Sequence, residues 1–342
     1  MSLDHPTITV GFSTGQSGYC LKAYPDMHVF EYTMQSLRRQ TFKDFEVVVA
    51  DVYYDKRKDY FQKHPEDFPV IHVPVKPNIW IGLGYPAIAA TKNTFLLYAK
   101  GEYVTNLGDC WLVYPRYLEN ILKHLKHHRY VSNRYAKYHG EDLLYVDKRA
   151  TDSPIVVGNV TMHIEDWLDL NGYNELFDGS KGHEDRDLSY RIGLKDHGIN
   201  QDTDDIDHIV VDPYIVRQNH ISFPSFRKTL IRSHKCCLLN YKLMKQRIEY
   251  RANTVLLSDE ELQYLSQCSI KPHPGCERYA NTGKCLHSKS VGGKIMVGAD
   301  KKMVSLCNHP SLYFGLREQR KNIKKTIGDL QKLTEEFYKS DD

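Results

Sequence analysis

The stretch Phe45–Asp51, FEVVVAD, is a seven-residue run of apolar and β-branched residues that stops on an acid. Such a run has no alternation of polar and apolar positions, so it reads as a strand buried on both faces, as in a parallel sheet covered by helices. The residues around it agree. Upstream, HVFEYTMQSLRRQ (His28–Gln40) places Val29, Tyr32, Met34 and Leu37 roughly on one face of a helix. Before that, TITVGFST (Thr7–Thr14) is a β-branched run ending near Gly15 and Gly18. Downstream, FPVIHVPV (Phe68–Val75) reads as a further strand, YPAIAATKNTFLLYAKG (Tyr85–Gly101) as a helix with a glycine stop, and EYVTNLGD (Glu102–Asp109) as another strand ending in an acid. YPRYLENILKHLKHH then gives an amphipathic helix with Leu118, Ile121, Leu122 and Leu125 on its stripe.

Strands alternating with helices predict an α/β fold with a mainly parallel sheet flanked by helices. In such sheets ligands collect at the carboxyl ends of the strands. Asp51 and Asp109 both end strands, where a nucleotide and its metal would be handled; both also fit as ordinary turn aspartates. Further on, Ile155–Met162 reads as a strand, HIEDWLDLNG as a short helix closed by Gly172, and DHIVVDPYIVRQNHI as a last strand pair near His220. After Pro224 the character changes to a long helix, a cysteine- and glycine-bearing segment, and a charged helix from Leu316 to about Tyr338. The expected division is a core over 1–222 and a helical, loop-rich accessory region over 223–342.

Composition excludes several classes. The 342 residues are 41% hydrophobic and 26% charged, ordinary for a globular protein. A formal net charge of +3 gives no footing for a nucleic-acid binder. No apolar run approaches the roughly 20 residues that span a bilayer, and the first residues lack a signal-peptide pattern. Eight cysteines, two of them adjacent, make no disulfide framework in a chain this long, which predicts a reduced, cytoplasmic protein. Cys268, Cys276, Cys285 and Cys307, with histidines nearby, are candidates for a structural zinc site. Their wide spacing, with no C-x₂-C knuckle, equally suits scattered small core thiols.

The segment GSKGHEDRDLSYRI (Gly179–Ile192) concentrates His183, Glu184, Asp185, Arg186 and Asp187 at the mouth of a helix. Acids there offset the helix dipole, or one of them removes a proton from a substrate. Trp80, Trp111 and Trp167 are candidates for stacking on sugar faces, Trp111 foremost because it follows Asp109 and Cys110. The last helix carries Leu316, Ile323, Ile327, Leu330, Leu333 and Phe337 on one stripe, which docks on its own domain or forms a homodimer contact.

Three segments in order resemble a family. MQSLRRQTFKDFEVVVAD, AATKNTFLLYAKGEYVTNLGD and GNVTMHIEDWLDLNGYNELFDGSKGHEDRDLSYRI are similar to the helix–strand, acidic-triplet and acceptor segments of family-two glycosyltransferases of the GT-A fold. The resemblance covers roughly residues 5–222 and leaves the last 120 or so unmatched. It implies a transfer of sugar, with inversion, from a nucleoside diphosphate sugar (UDP-linked) to a hydroxyl of a glycan or other acceptor, as in carbohydrate biosynthesis. It places Thr14 near the base, Asp51 on the nucleoside, Lys92 and Asn93 near the ribose and diphosphate, and Asp109 toward a Mn²⁺ or Mg²⁺ ion with His220. It makes Asp185 the base and Glu184 an orienting acid, with His183 and Trp111 lining the acceptor or sugar. Two positions depart from the pattern: Ala50 replaces one acid of a pair, and Gly108, Asp109 and Cys110 keep one carboxylate of the triplet. A nucleotidyltransferase, or a GT-A fold that binds nucleotide or glycan without turnover, are the alternatives. One pocket joining Asp51, Asp109 and Asp185 is what this reading requires.

Overall fold

The computed structural model describes residues 5–15, 30–78, 81, 87–109, 111–139, 142–146, 159–175, 178, 184–197, 208–218 and 315–339. The chain divides into two compact units. One comprises Met1–Val75, Thr91–Gly172 and Leu188–Ser222; the other comprises Lys76–Ala90, Tyr173–Asp187 and Phe223–Asp342. Lys76–Ala90 and Tyr173–Asp187 thus group with the residues after 222.

The first unit is an α/β fold, a sheet with helices interleaved between its strands. Its strands among the described residues are β1 (Ile8–Thr14), β2 (Phe45–Asp51), β3 (Val70–Pro74), β4 (Tyr103–Gly108), β5 (Trp111–Val113), β6 (Tyr130–His139), β7 (Asp142–Val146), β8 (Val160–His163) and β9 (His208–Gln218). They order β3-β2-β1-β4-β8-β6-β9-β5, with β7 beside β6. The first four are parallel. β8 is then antiparallel to both β4 and β6, while β9 runs parallel to β6 and β5 antiparallel to β9. The expected mainly parallel sheet is the first half; the second half is mixed. All seven residues of β2 are buried, as the uninterrupted apolar run predicts.

Helices α1 (Phe30–Arg38), α2 (Tyr54–Arg57), α3 (Tyr60–Lys63), α4 (Ile88–Tyr98), α5 (Tyr117–Leu125), α6 (Ile164–Asp169) and α7 (Glu184–His197) are interleaved with the strands. Phe30, Met34 and Leu37 from α1 and Tyr117, Leu118 and Ile121 from α5 join Ile8, Val10, Phe12, Val47 and Val49 in one core cluster. Each such side chain, fully buried, contributes about 1.5–3 kcal/mol. The C-terminal helices are α8 (Leu316–Lys321) and α9 (Ile323–Lys339).

Two expectations change. The strand pair near His220 is a single eleven-residue strand, β9. Its register with β6 shifts between Asn133–Val211 and Tyr135–Ile215, around Pro213, which has no N–H for the ladder. The single final helix is two. It breaks at Asn322 (φ −145°, ψ 74°), whose Oδ1 accepts the Lys325 N–H at 3.0 Å and so starts α9 afresh. The expected strand over 155–158 and the long helix after Pro224 lie outside the described residues.

Candidate functional site

Parallel register fixes which side chains share the carboxyl edge of the sheet. Thr14 is the cross-strand partner of Asp51, and Ser13 that of Gly108, so Asp109 emerges one residue beyond β4 beside them. Thr14, Asp51 and Asp109 are therefore brought to one edge by three adjacent strands.

Asp51 is buried and held from three sides. Its Oδ1 accepts the Tyr53 backbone N–H at 2.7 Å and an N–H of Arg57, and its Oδ2 accepts from His72 Nε2 at 2.9 Å. The side chains of Arg57 and His72 are themselves largely covered, with exposures of 9% and 7%. The Arg57 guanidinium lies over the rings of Phe30 (5.3 Å) and Tyr53 (5.6 Å). The pairing neutralises what would otherwise be a naked carboxylate in a site expected to receive an anion. Three buried polar atoms around it have no protein partner among the described residues: Thr14 Oγ1, Arg57 Nε and His72 Nδ1. Buried polar atoms are normally satisfied, so each marks a place for water or ligand. Sequence reasoning passed over Arg57 and His72. Arg57 stands in the basic stretch YYDKRKDY just after Asp51 and His72 inside an apolar run, so only the charge of the loop hinted at them.

The thinned acidic motif has a steric cause. A Cβ on Gly108 would lie 2.5 Å from the Trp111 indole nitrogen and 2.7–2.9 Å from two of its carbons. No acid fits at 108 while Trp111 covers it. Thr33 fixes this corner: its hydroxyl donates to the Gly108 carbonyl at 3.0 Å and accepts the Trp111 backbone N–H at 3.2 Å. Trp111 is 6% exposed and belongs to the core cluster, which leaves little of its ring to stack on a sugar. Trp167 is fully buried, its indole N–H on the Val104 carbonyl at 3.1 Å. Gly108→Ala is expected to lose about 1–3 kcal/mol through this overlap. In chemical denaturation, Trp111→Ala should cost less in that variant than in the native chain, because the overlap is already relieved.

Lys92 and Asn93 sit in α4, Asn93 buried and Lys92 half-buried. Glu184 and Asp185 open α7, with Asp187 also in its first turn. Glu184 and Asp187 are buried and Asp185 is the half-exposed acid of the three, the one that solvent reaches. Arg191 of the same helix is fully buried, and its guanidinium donates to the Leu170 carbonyl and, at 2.8 Å, to that of Gly172. Asn171 and Gly172 both have φ of 61°, the left-handed turn that ends α6. The arginine thus satisfies carbonyls left open at that helix end. His183, His220, Trp80, Cys268, Cys276, Cys285 and Cys307 lie outside the described residues.

Within the second unit, Asp178 accepts the N–H groups of Ala89 and Ala90 at 2.8 and 3.0 Å, capping the start of α4. Lys76 is buried against Glu175 and reaches Gln319 Oε1 at 3.1 Å. Burial, reinforced by the negative charges of Glu175 and Glu184, pushes the Asp178 carboxyl well above the usual carboxylate range, against the two backbone bonds. A carboxyl whose folded-state pKa is raised contributes stability below its unfolded value and loses it as pH rises through the folded one. The stability difference between the native chain and Asp178→Asn is therefore expected to shift against the native chain as pH rises above about 4. Denaturation at a series of pH values reads this directly.

No group of three His, Cys, Asp or Glu side chains close enough to hold a metal exists among the described residues. Asp109 offers one carboxylate, which fits a cation only where substrate phosphates complete the coordination. No helix among the described residues is long and apolar enough to cross a membrane.

No protein-family model matches the chain, and no curated protein does. Among solved structures it is similar to Staphylococcus aureus TarS residues 1–349 in complex with UDP-GlcNAc, at 13% identity and a TM-score of 0.47, covering 98% of this chain and 92% of that one. The same fragment in complex with UDP gives 14% identity and a TM-score of 0.43 over the same shares. At such values the likeness decides nothing about the site, which rests on its own geometry.

Proposed function

We propose that the protein is a glycosyltransferase that moves a sugar, with inversion, from a UDP-linked donor to a hydroxyl acceptor. The observation that carries this reading is the row Thr14, Asp51, Arg57 at the carboxyl edge. Thr14 offers a hydroxyl, Asp51 a remaining carboxylate lone pair and Arg57 an Nε–H, and the first and last are buried and unclaimed among the described residues. The row reads donor, acceptor, donor. Uracil presents acceptor, donor, acceptor along its pairing edge; cytosine presents acceptor, acceptor, donor. Lys92 and Asn93 are assigned to the ribose and diphosphate.

In the reaction, Asp185 takes the acceptor hydroxyl proton as its oxygen attacks the anomeric carbon, and the bond to the diphosphate breaks to release UDP. Glu184 orients the acceptor and His183 lines it. A divalent cation, Mn²⁺ or Mg²⁺, held by Asp109, the diphosphate and His220, would neutralise charge on the leaving group. The region after residue 222 is assigned to acceptor choice. A second reading, a nucleotide binder without turnover, is favoured by the single carboxylate left beside Gly108.

Calorimetric titration with UDP and CDP tests the proposal. UDP should bind at least about tenfold more tightly, since a site built to hydrogen-bond one edge leaves polar groups unpaired against the other. Arg57→Lys, which keeps the charge on Asp51 and removes the Nε–H, should narrow the gap. Equal binding of the two contradicts the pyrimidine row; binding of neither contradicts the donor reading itself.

A further inference from the structure

A cleft of about 790 Å³ opens at the other end of the same strands, where Thr7, Glu102 and Tyr103 mark the starts of β1 and β4. Its volume is within the range of small-molecule sites, yet Thr14, Asp51 and Asp109 lie at the opposite edge and line no part of it. Its apolar wall is Phe42, Tyr103, Leu122 and Leu125, four side chains that pack on the core cluster and remain only partly covered.

The charges around the mouth are unequal in a telling way. Both acids are engaged. Glu119 accepts from Arg116 at 3.0 and 3.2 Å and from the Thr41 hydroxyl at 3.1 Å. Glu102 faces Tyr103, whose hydroxyl is pushed up by burial and by that neighbouring carboxylate. The two lysines of the lining, Lys123 and Lys126, are exposed and have no acidic partner among the described residues. Beyond them stand His124, His127 and His128, and His124 is held below its usual value by burial and by the positive charges of His128, Lys123 and His127. Arg116 and Glu119 cancel, so Lys123 and Lys126 outweigh Glu102 and the lining keeps a net positive charge, with both lysines exposed at the rim above an apolar floor.

We propose that this cleft binds an amphipathic anion, with a phosphate or carboxylate on Lys123 and Lys126 and an alkyl or aromatic body on Phe42, Tyr103, Leu122 and Leu125. The site is independent of the donor edge and of the reaction assigned there. Monomeric dodecyl phosphate, titrated calorimetrically into the full chain, is expected to bind at a single site. Inorganic phosphate, which has only the charge, and dodecyl maltoside, which has only the chain, should each bind at least about tenfold more weakly. Lys123→Glu/Lys126→Glu should weaken dodecyl phosphate about tenfold, the combined worth of two exposed ion pairs, without lowering the melting temperature. Absence of binding, equal binding of the maltoside, or affinity indifferent to the charge reversal would overturn the assignment. Co-sedimentation with phosphatidylserine vesicles that depends on the two lysines identifies the ligand as a bilayer headgroup. Dodecyl phosphate binding without co-sedimentation identifies a soluble amphiphile.

Discussion

Asp51→Ala is expected to lose about 3–5 kcal/mol of folding stability, because it strands a buried cation. The side chains of Arg57 and His72 are both directed at Asp51 and both largely covered, and the Tyr53 N–H loses its acceptor with them. Taking away one partner of such a set leaves the others desolvated and unsatisfied, which costs more than the set contributed. Asp51→Asn should fall between the two, since its carbonyl oxygen still accepts one or two of the three donors but no longer neutralises Arg57. Urea denaturation gives the ordering directly. A loss under 1 kcal/mol for the alanine variant would mean that Arg57 finds solvent or another partner, and the view of Asp51 as the organiser of this edge would fail.

For Asp185→Asn the expected loss is in rate: kcat for sugar transfer should fall by about 10²–10⁴, the usual worth of a positioned base, while the affinity for UDP stays unchanged. Asp185 is the half-exposed acid of its turn, whereas Glu184 and Asp187 are buried. Its replacement should therefore leave stability within about 0.5 kcal/mol. Activity that falls together with UDP affinity would place Asp185 in donor binding. Equal rates in both proteins, with a productive donor in the assay, would remove it from the chemistry and favour the reading without turnover.

The parts of this fold legible in the sequence are those that local pattern dictates. The run 45–51 is buried at every position because a strand covered on both faces has no place for a polar alternation. Once that strand and its neighbours are parallel, the register alone brings Thr14, Asp51 and Asp109 to one edge. What stayed hidden depends on contacts between residues distant in sequence. The separation of 21 positions between Asp51 and His72 carries no periodic sign that the two will meet. Gly108 reads as a lost acid until Trp111 is seen above it. The break at Asn322 is a single capping residue within a stripe whose apolar spacing continues through it. The grouping of Lys76–Ala90 and Tyr173–Asp187 with the C-terminal region likewise follows from tertiary contacts such as Lys76 with Glu175 and Gln319.

A crystal structure of the protein soaked with UDP would decide where the nucleotide goes. The uracil is predicted within 2.7–3.2 Å hydrogen-bonding distance of Thr14 Oγ1, Asp51 Oδ2 and Arg57 Nε, with the diphosphate directed toward Asp109. Density for UDP at another surface, or a base held without contact to Thr14 or Arg57, would contradict the assignment of this edge as the donor site.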